Sequence, residues 1–102
     1  MQSTMQKYRI SKLAEQDLTD IWNYTLDNWS QDQANTYVTG LLNAFARIAK
    51  APDQLGRSYE HVRKGYRKYP YGHHIIFYLI QPDGLVLISR VLHERMDFDR
   101  HL

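Results

Sequence analysis

Two amphipathic helical stripes follow one another with almost no loop between them, and this constrains the chain more than any other feature. Ala14, Leu18, Ile21, Trp22, Thr25 and Trp29 recur at three- and four-residue steps, so they share one helical face. Glu15, Gln16, Asp20, Asn23 and Asp27 fall on the opposite face. Ser11 is placed to cap the start. Ser30-Gln31-Asp32-Gln33 then has the capping-box pattern, with Ser30 at the cap and Gln33 three residues on. A second stripe of Ala34, Tyr37, Val38, Leu41, Leu42, Phe45, Ile48 and Ala49 runs up to Pro52, which ends it. Helices joined this tightly must fold back as an antiparallel hairpin. Gly40 lies inside the second helix, at a cost of about 1 kcal/mol relative to alanine. Either the first helix approaches closely there, against Trp22, or the glycine is tolerated.

The period changes on either side of the hairpin. Lys7-Tyr8-Arg9-Ile10 alternates and predicts a short N-terminal strand. Gly65–Tyr71, His73–Ile80 and Leu85–Leu92 read as three further strands. Gln81-Pro82-Asp83-Gly84 is a tight-turn signal, so the last two strands form an antiparallel hairpin. The His74–Ile80 run is apolar at nearly every position, whereas a strand with one solvated face alternates. It is therefore predicted to be central and covered on both faces. The helical hairpin covers one face; the C-terminal tail or a partner chain covers part of the other. At 102 residues the chain holds one core and one domain, residues 1–102. The expected class is α+β: an N-terminal strand, then an antiparallel helical hairpin packed on a mainly antiparallel sheet with three C-terminal strands.

Charge is nearly balanced at +2, so the molecule as a whole is not a magnet for nucleic acid. Its distribution is uneven. Arg57, Arg63, Lys64, Arg67 and Lys68 face a single acid, Glu60, in one stretch, and all 5 histidines follow Gly56. One surface is expected to be locally positive. The chain has no cysteine, hence no disulfide framework and no thiolate chemistry. No apolar run approaches the ~20 residues of a membrane span, and the start lacks a signal-peptide core. The expectation is a cytoplasmic protein without a membrane partner.

No residue set reads as a metal or catalytic centre. His73 and His74 are neighbours on a predicted strand, which points them to opposite faces. No histidine pair has the helical spacing of a zinc site. Gly56-Arg57 lacks the phosphate-cradle pattern, and Arg57 either pairs with an acid such as Asp53 or reaches a partner. Arg90 lies in an otherwise apolar strand; it either pairs with a carboxylate such as Asp97 or meets a ligand on an uncovered face. Tyr66, Tyr69, Tyr71 and Tyr78, mixed with Arg63, Lys64, Arg67 and Lys68, suit an RNA platform or a protein-binding anchor surface equally.

Four segments together resemble the RelE/ParE superfamily of small bacterial toxins, and most closely its ParE branch. They are Leu13-Ala14-Glu15-x-Asp17-Leu18-x-x-Ile21-Trp22-x-Tyr24; Leu55-Gly56-Arg57; Arg67-x-Tyr69-Pro70-Tyr71-Gly72-x-His74-x-Ile76-x-Tyr78; and Ile88-x-Arg90-Val91-Leu92-His93-x-Arg95-Met96-Asp97. The resemblance implies a toxin neutralised by a ParD-like antitoxin. In the ParE branch the implied target is DNA gyrase, with the A subunit as the expected contact; in the RelE branch it is mRNA on the ribosome. RelE-like nucleases carry cationic or Glu/His groups on the sheet and an aromatic hydroxyl near the C-terminus. His93 falls where those nucleases have a basic catalytic group. Here the tail offers Phe98, which has no proton to give, beside Asp97 and Asp99. A binding toxin without chemistry, metal, cofactor or sequence-specific nucleic-acid contact is therefore expected, with mRNA cleavage the alternative. The expected target surface is Arg57, Arg63, Arg67, Tyr69, Arg90, His93, Arg95 and Met96. The expected antitoxin surface is Trp22, Trp29, Tyr37, Ile76 and Tyr78. Truncation after Leu92 is expected to abolish poisoning while leaving antitoxin binding largely intact, because the hairpin and most of the sheet persist; if the tail is instead a structural cover for the sheet, truncation unfolds the chain.

Overall fold

The computed structural model describes residues 8–102. Lys7, the first residue of the expected N-terminal strand, lies outside them. The elements in order are β1 (Tyr8–Ile10), α1 (Lys12–Asn28), α2 (Gln31–Lys50), α3 (Pro52–Leu55), β2 (Arg57–Ser58), β3 (Tyr66–Tyr71), β4 (His74–Ile80), β5 (Val86–His93) and a C-terminal 3-10 turn (Phe98–Arg100). They form one five-stranded sheet of order β1-β5-β4-β3-β2. Only the β1–β5 pair is parallel.

Both helix starts are capped as their sequences require. Ser11 accepts from the Ala14 N–H and Ser30 from the Gln33 N–H. Pro52 opens α3 and so closes α2. The β4–β5 turn closes through the Gln81 N–H to the Leu85 carbonyl at 2.8 Å, with Gly84 at φ +87°.

The hairpin lies on one face of the sheet. Leu41, Phe45 and Ile48 of α2 and Ala14 and Ile21 of α1 meet Ile76 and Tyr78 of β4 and Val86, Ile88 and Val91 of β5. Each of the larger fully buried side chains contributes about 2–3 kcal/mol through its removal from water. Trp29 departs from the predicted stripe. It is the C-cap of α1 and 69% exposed.

The other face is covered from within the chain. Tyr59, Phe77 and Leu92 form a second buried cluster, against which Tyr66, Ile75, Phe98 and Leu102 pack. The Phe98 ring stands 4.9 Å from that of Phe77 and 6.5 Å from that of Tyr59. The tail is thus a structural cover for this face of the sheet, the alternative under which truncation after Leu92 unfolds the chain. Phe98 is a half-buried aromatic that covers this cluster.

A bulge sets the C-terminal edge. Phe77 pairs with Arg90 but Tyr78 with Ile88, so Ser89 has no partner on β4. The extra residue switches the alternation. Val86, Ile88 and Val91 point toward the helices, while Leu92 joins the opposite cluster. Without it, Arg90 would follow Ile88 into the helix-side core.

Gly40 is explained differently from the expectation. A Cβ there would lie 1.7 Å from the Tyr71 hydroxyl. The close approach comes from β3, not from Trp22, which instead donates its indole N–H to Asn35 at 3.1 Å.

Candidate functional site

β1 stops pairing with β5 at Ile88, so the last part of β5 is a free sheet edge. α1 of the helical hairpin packs against this strand. Between the two lies an open groove of about 960 Å³. Its helical side carries Asp17, Asp20, Ile21, Tyr24, Trp29 and Asp32. Tyr37 of α2 also lines it. Its sheet side carries His73, His74, Val91, His93 and Met96. Tyr24 is 67% exposed, Trp29 69% and Met96 38%. Large apolar side chains left open around one concavity mark an interaction surface rather than stray surface residues.

One end of the groove is fixed by an ion pair. Arg90 grips Asp17 in a two-pronged contact, with Nε to Oδ2 and Nη2 to Oδ1 both at 2.8 Å. Both side chains are largely buried. Asp17 also accepts the Val91 N–H at 2.9 Å, closing part of the free β5 edge. Arg90 further donates to the His101 carbonyl at 2.9 Å. The hydrogen bond to Asp17 is the main reason that the guanidinium holds its proton even more firmly than usual. Asp97, the carboxylate expected to pair with Arg90, is not its partner. Asp17 lies 73 residues away in sequence, at the margin of the α1 apolar stripe. No local spacing could have marked it.

The middle is organised by Tyr37. Its hydroxyl stands 2.7 Å from His74 Nδ1, accepts the His73 N–H at 3.2 Å and lies 3.2 Å from the Tyr71 carbonyl. Burial raises the Tyr37 pKa. His74 is pushed down to about 4, first by burial and then by its neighbours His93 and His73. The neutral imidazole Nδ1 can then accept a hydrogen bond from the Tyr37 hydroxyl. His93 completes the group, stacked on His73 at 6.4 Å and edge-on to His74 at 5.3 Å. The expectation that His73 and His74 face apart is corrected, because His73 belongs to the turn before β4 and both line the groove. Among the described residues no group of His, Cys, Asp or Glu is arranged to hold a metal ion.

The expected antitoxin surface divides. Trp29 and Tyr37 line the groove. Trp22 does not, and its indole bridges α1 to α2. Ile76 and Tyr78 are corrected: both are fully buried beneath the hairpin. The Tyr78 hydroxyl donates to the Pro52 carbonyl at 2.7 Å, so neither residue offers a surface.

The expected target surface divides too. His93 and Met96 line the groove, and exposed Arg95 stands between them in sequence. Arg57 and Arg63 are exposed at the far side of the sheet, on and after β2. Neither Arg57 nor Asp53 makes an ion pair among the described residues, so the Arg57–Asp53 alternative does not form. Three residues have partners within the chain. Arg67 spends its guanidinium on the carbonyls of Asp53, at 2.9 Å, and Gly56, at 2.5 Å. Tyr69 packs against the helix-side core. Arg90 is held by Asp17. Sequence reasoning missed Tyr24, Asp20 and Asp32 as lining residues. Tyr24 breaks the polar face of α1, and that was the available signal.

A strand, a tightly joined helical hairpin and four further strands in this order, closed into one five-stranded sheet, define a small α+β class of known architecture. The fold matches a chain of the chromosomal ParDE TA system from P. aeruginosa with a TM-score of 0.74 at 15% identity, over 89% of this chain and 98% of that one. It matches a chain of the toxin–antitoxin complex RelBE2 from Mycobacterium tuberculosis with a TM-score of 0.63 at 19% identity, over 84% and 94%. The sequence narrows the class to one family. Residues 8–98 match the profile described as "ParE toxin of type II toxin-antitoxin system, parDE". The chain is 42% identical to Toxin ParE1 of Mycobacterium tuberculosis, over 94% of this chain and 97% of that protein. It is 39% identical to Toxin ParE1 of Caulobacter vibrioides, over 96% and 99%. The chain belongs to the ParE toxin family of type II toxin–antitoxin systems.

Proposed function

We propose that this toxin acts by binding DNA gyrase, without chemistry of its own, and is silenced by a ParD-like antitoxin seated in the groove. The observation that carries the antitoxin half is the groove itself. It is open and aromatic, and the described residues supply nothing to fill it. A stable partner covering it and the adjoining surface would bury on the order of 1,600 Å². The rim residues His93, Arg95 and Met96 are then the candidate target contacts. An antitoxin in the groove covers His93 and Met96 directly, so neutralisation follows from competition for one surface.

Family membership supports the gyrase half without testing it. Gyrase cuts DNA through a covalent intermediate, and a bound protein that hinders resealing leaves broken DNA without cutting it. The alternative, ribosome-dependent mRNA cleavage, requires an acid–base pair and free cations in one open place. Against it stand three features of this chain. Phe98 is packed on Phe77 and has no hydroxyl. Arg67 is spent on carbonyl oxygens. The groove that holds His93 also carries Asp20 and Asp32, whose charge repels phosphate. No helix among the described residues is long and apolar enough to cross a membrane. A cytoplasmic location is part of the proposal because DNA gyrase, the proposed target, acts there.

Two assays on the purified chain test this. Loss of gyrase supercoiling together with intact ribosome-bound mRNA is expected. Codon-specific cleavage of mRNA with normal supercoiling would overturn the proposal.

A further inference from the structure

The walls of the groove differ in charge. Asp17, Asp20 and Asp32 stand on the helical wall, and His73, His74 and His93 on the sheet wall. Asp17 is neutralised by Arg90. The other two are not. Among the described residues Asp20 accepts only from Gln16, at 2.9 Å, one turn back on its own helix. Asp32 has no hydrogen-bond or ion-pair partner among the described residues. No lysine or arginine among them lies within ion-pair distance of either carboxylate, although the chain carries 13 such residues. Both acids border an apolar concavity formed by Ile21, Tyr24, Trp29 and Met96. Both carboxylates are exposed at the border of the groove, so each cation that meets one gains a modest attraction that salt screens. Asp32 has a second role in the first turn of α2, where a carboxylate favours the helix. Asp20 lies in the middle of α1 and has no such role.

We propose that the groove selects an antitoxin segment whose adjacent apolar side chains are flanked by lysine or arginine set to meet Asp20 and Asp32. This rests on the groove being the antitoxin seat. The apolar side chains supply most of the affinity, against Trp29, Tyr24 and Met96. The two carboxylates supply register and selectivity, because a segment carrying acids at those positions meets unanswered negative charge.

The test uses the whole chain and the antitoxin encoded with it, with dissociation constants measured at about 0.05 M and about 0.5 M salt. The combined Asp20→Asn and Asp32→Asn variant is expected to bind at least tenfold more weakly at low salt, about 1.4 kcal/mol. Asp20→Lys alone should be worse. Both deficits should shrink at high salt, while the melting temperature of Asp20→Asn stays at that of the wild type. Wild-type affinity in the carboxylate variants, with Trp29→Ala still weakening binding, would overturn the charge selection and leave the groove reading standing. Wild-type affinity in Trp29→Ala and the carboxylate variants alike would overturn both.

Discussion

Arg90 and Asp17 show how a residue can be singled out from sequence and still be misassigned. An arginine in an apolar strand announces that it needs a partner. The partner, however, is chosen by the bulge at Ser89 and by the approach of α1, neither of which leaves a local mark. Removing one member of a largely buried pair strands the other charge. Asp17→Ala is therefore expected to cost about 3 kcal/mol, read as a drop in urea midpoint at unchanged slope. A loss under about 0.5 kcal/mol, the range of ordinary surface changes, would mean that the pair is not structural. Gly72 is a second fixed point. Its φ is +56°, and a Cβ there would stand 2.5 Å from the Tyr37 hydroxyl. Gly72→Ala is expected to lose about 1–2 kcal/mol from backbone strain alone, and a melting temperature equal to wild type would refute this. His74 gives a pH signature. Its pKa is about 4 in the folded chain against an ordinary 6.5. Between these values the unfolded chain takes up a proton that the folded chain refuses, so stability falls as pH drops from 6.5 toward 4. Tyr37, His73, His93, Glu94 and Asp17 are the titratable groups around it. His74→Gln should flatten that slope in a series of thermal melts. An unchanged slope would place the pH dependence elsewhere.

At the scale of elements, periodicity and capping carried most of the information. Ser11, Ser30 and Pro52 mark the helix boundaries because each acts through atoms a few residues away. The continuous apolar run of β4 correctly signals cover on both faces. What a pattern cannot show is which segment provides the second cover. Phe98 and Leu102 do so, together with Tyr59 from the long β2–β3 connection. Burial raises the Tyr59 pKa, and nearby Asp99 and Asp97 add to it, which places the acidic tail beside this ring. The tail is thus part of the fold. Phe98→Ala is expected to cost about 2 kcal/mol, less than a fully buried phenylalanine because its ring is only partly enclosed. Truncation after Leu92 should abolish cooperative unfolding in circular dichroism. A truncated chain that melts like the full one would contradict this account of the outer face.

For the whole molecule, two positive features that the sequence ran together prove to be separate places. Arg57 and Arg63 sit at the β2 side, and His93, Arg95 and Met96 at the β5 side, with the sheet between them. A single stretch of sequence cannot reveal this, because strand order, not chain order, sets the distance. The groove was equally hidden. Its aromatic wall comes from the hairpin and its histidine wall from β4 and β5, so its parts are legible only as isolated exposed residues. Family membership fixes what kind of protein this is; how it harms a cell rests on what its rim touches. The most direct measurement is the capture of gyrase on plasmid DNA after detergent and protease treatment. Wild-type chain is expected to yield linear, protein-linked DNA, and Arg95→Ala combined with Met96→Ala to yield much less while melting normally. Gyrase that reseals its DNA fully in the presence of excess folded wild-type chain would contradict the account.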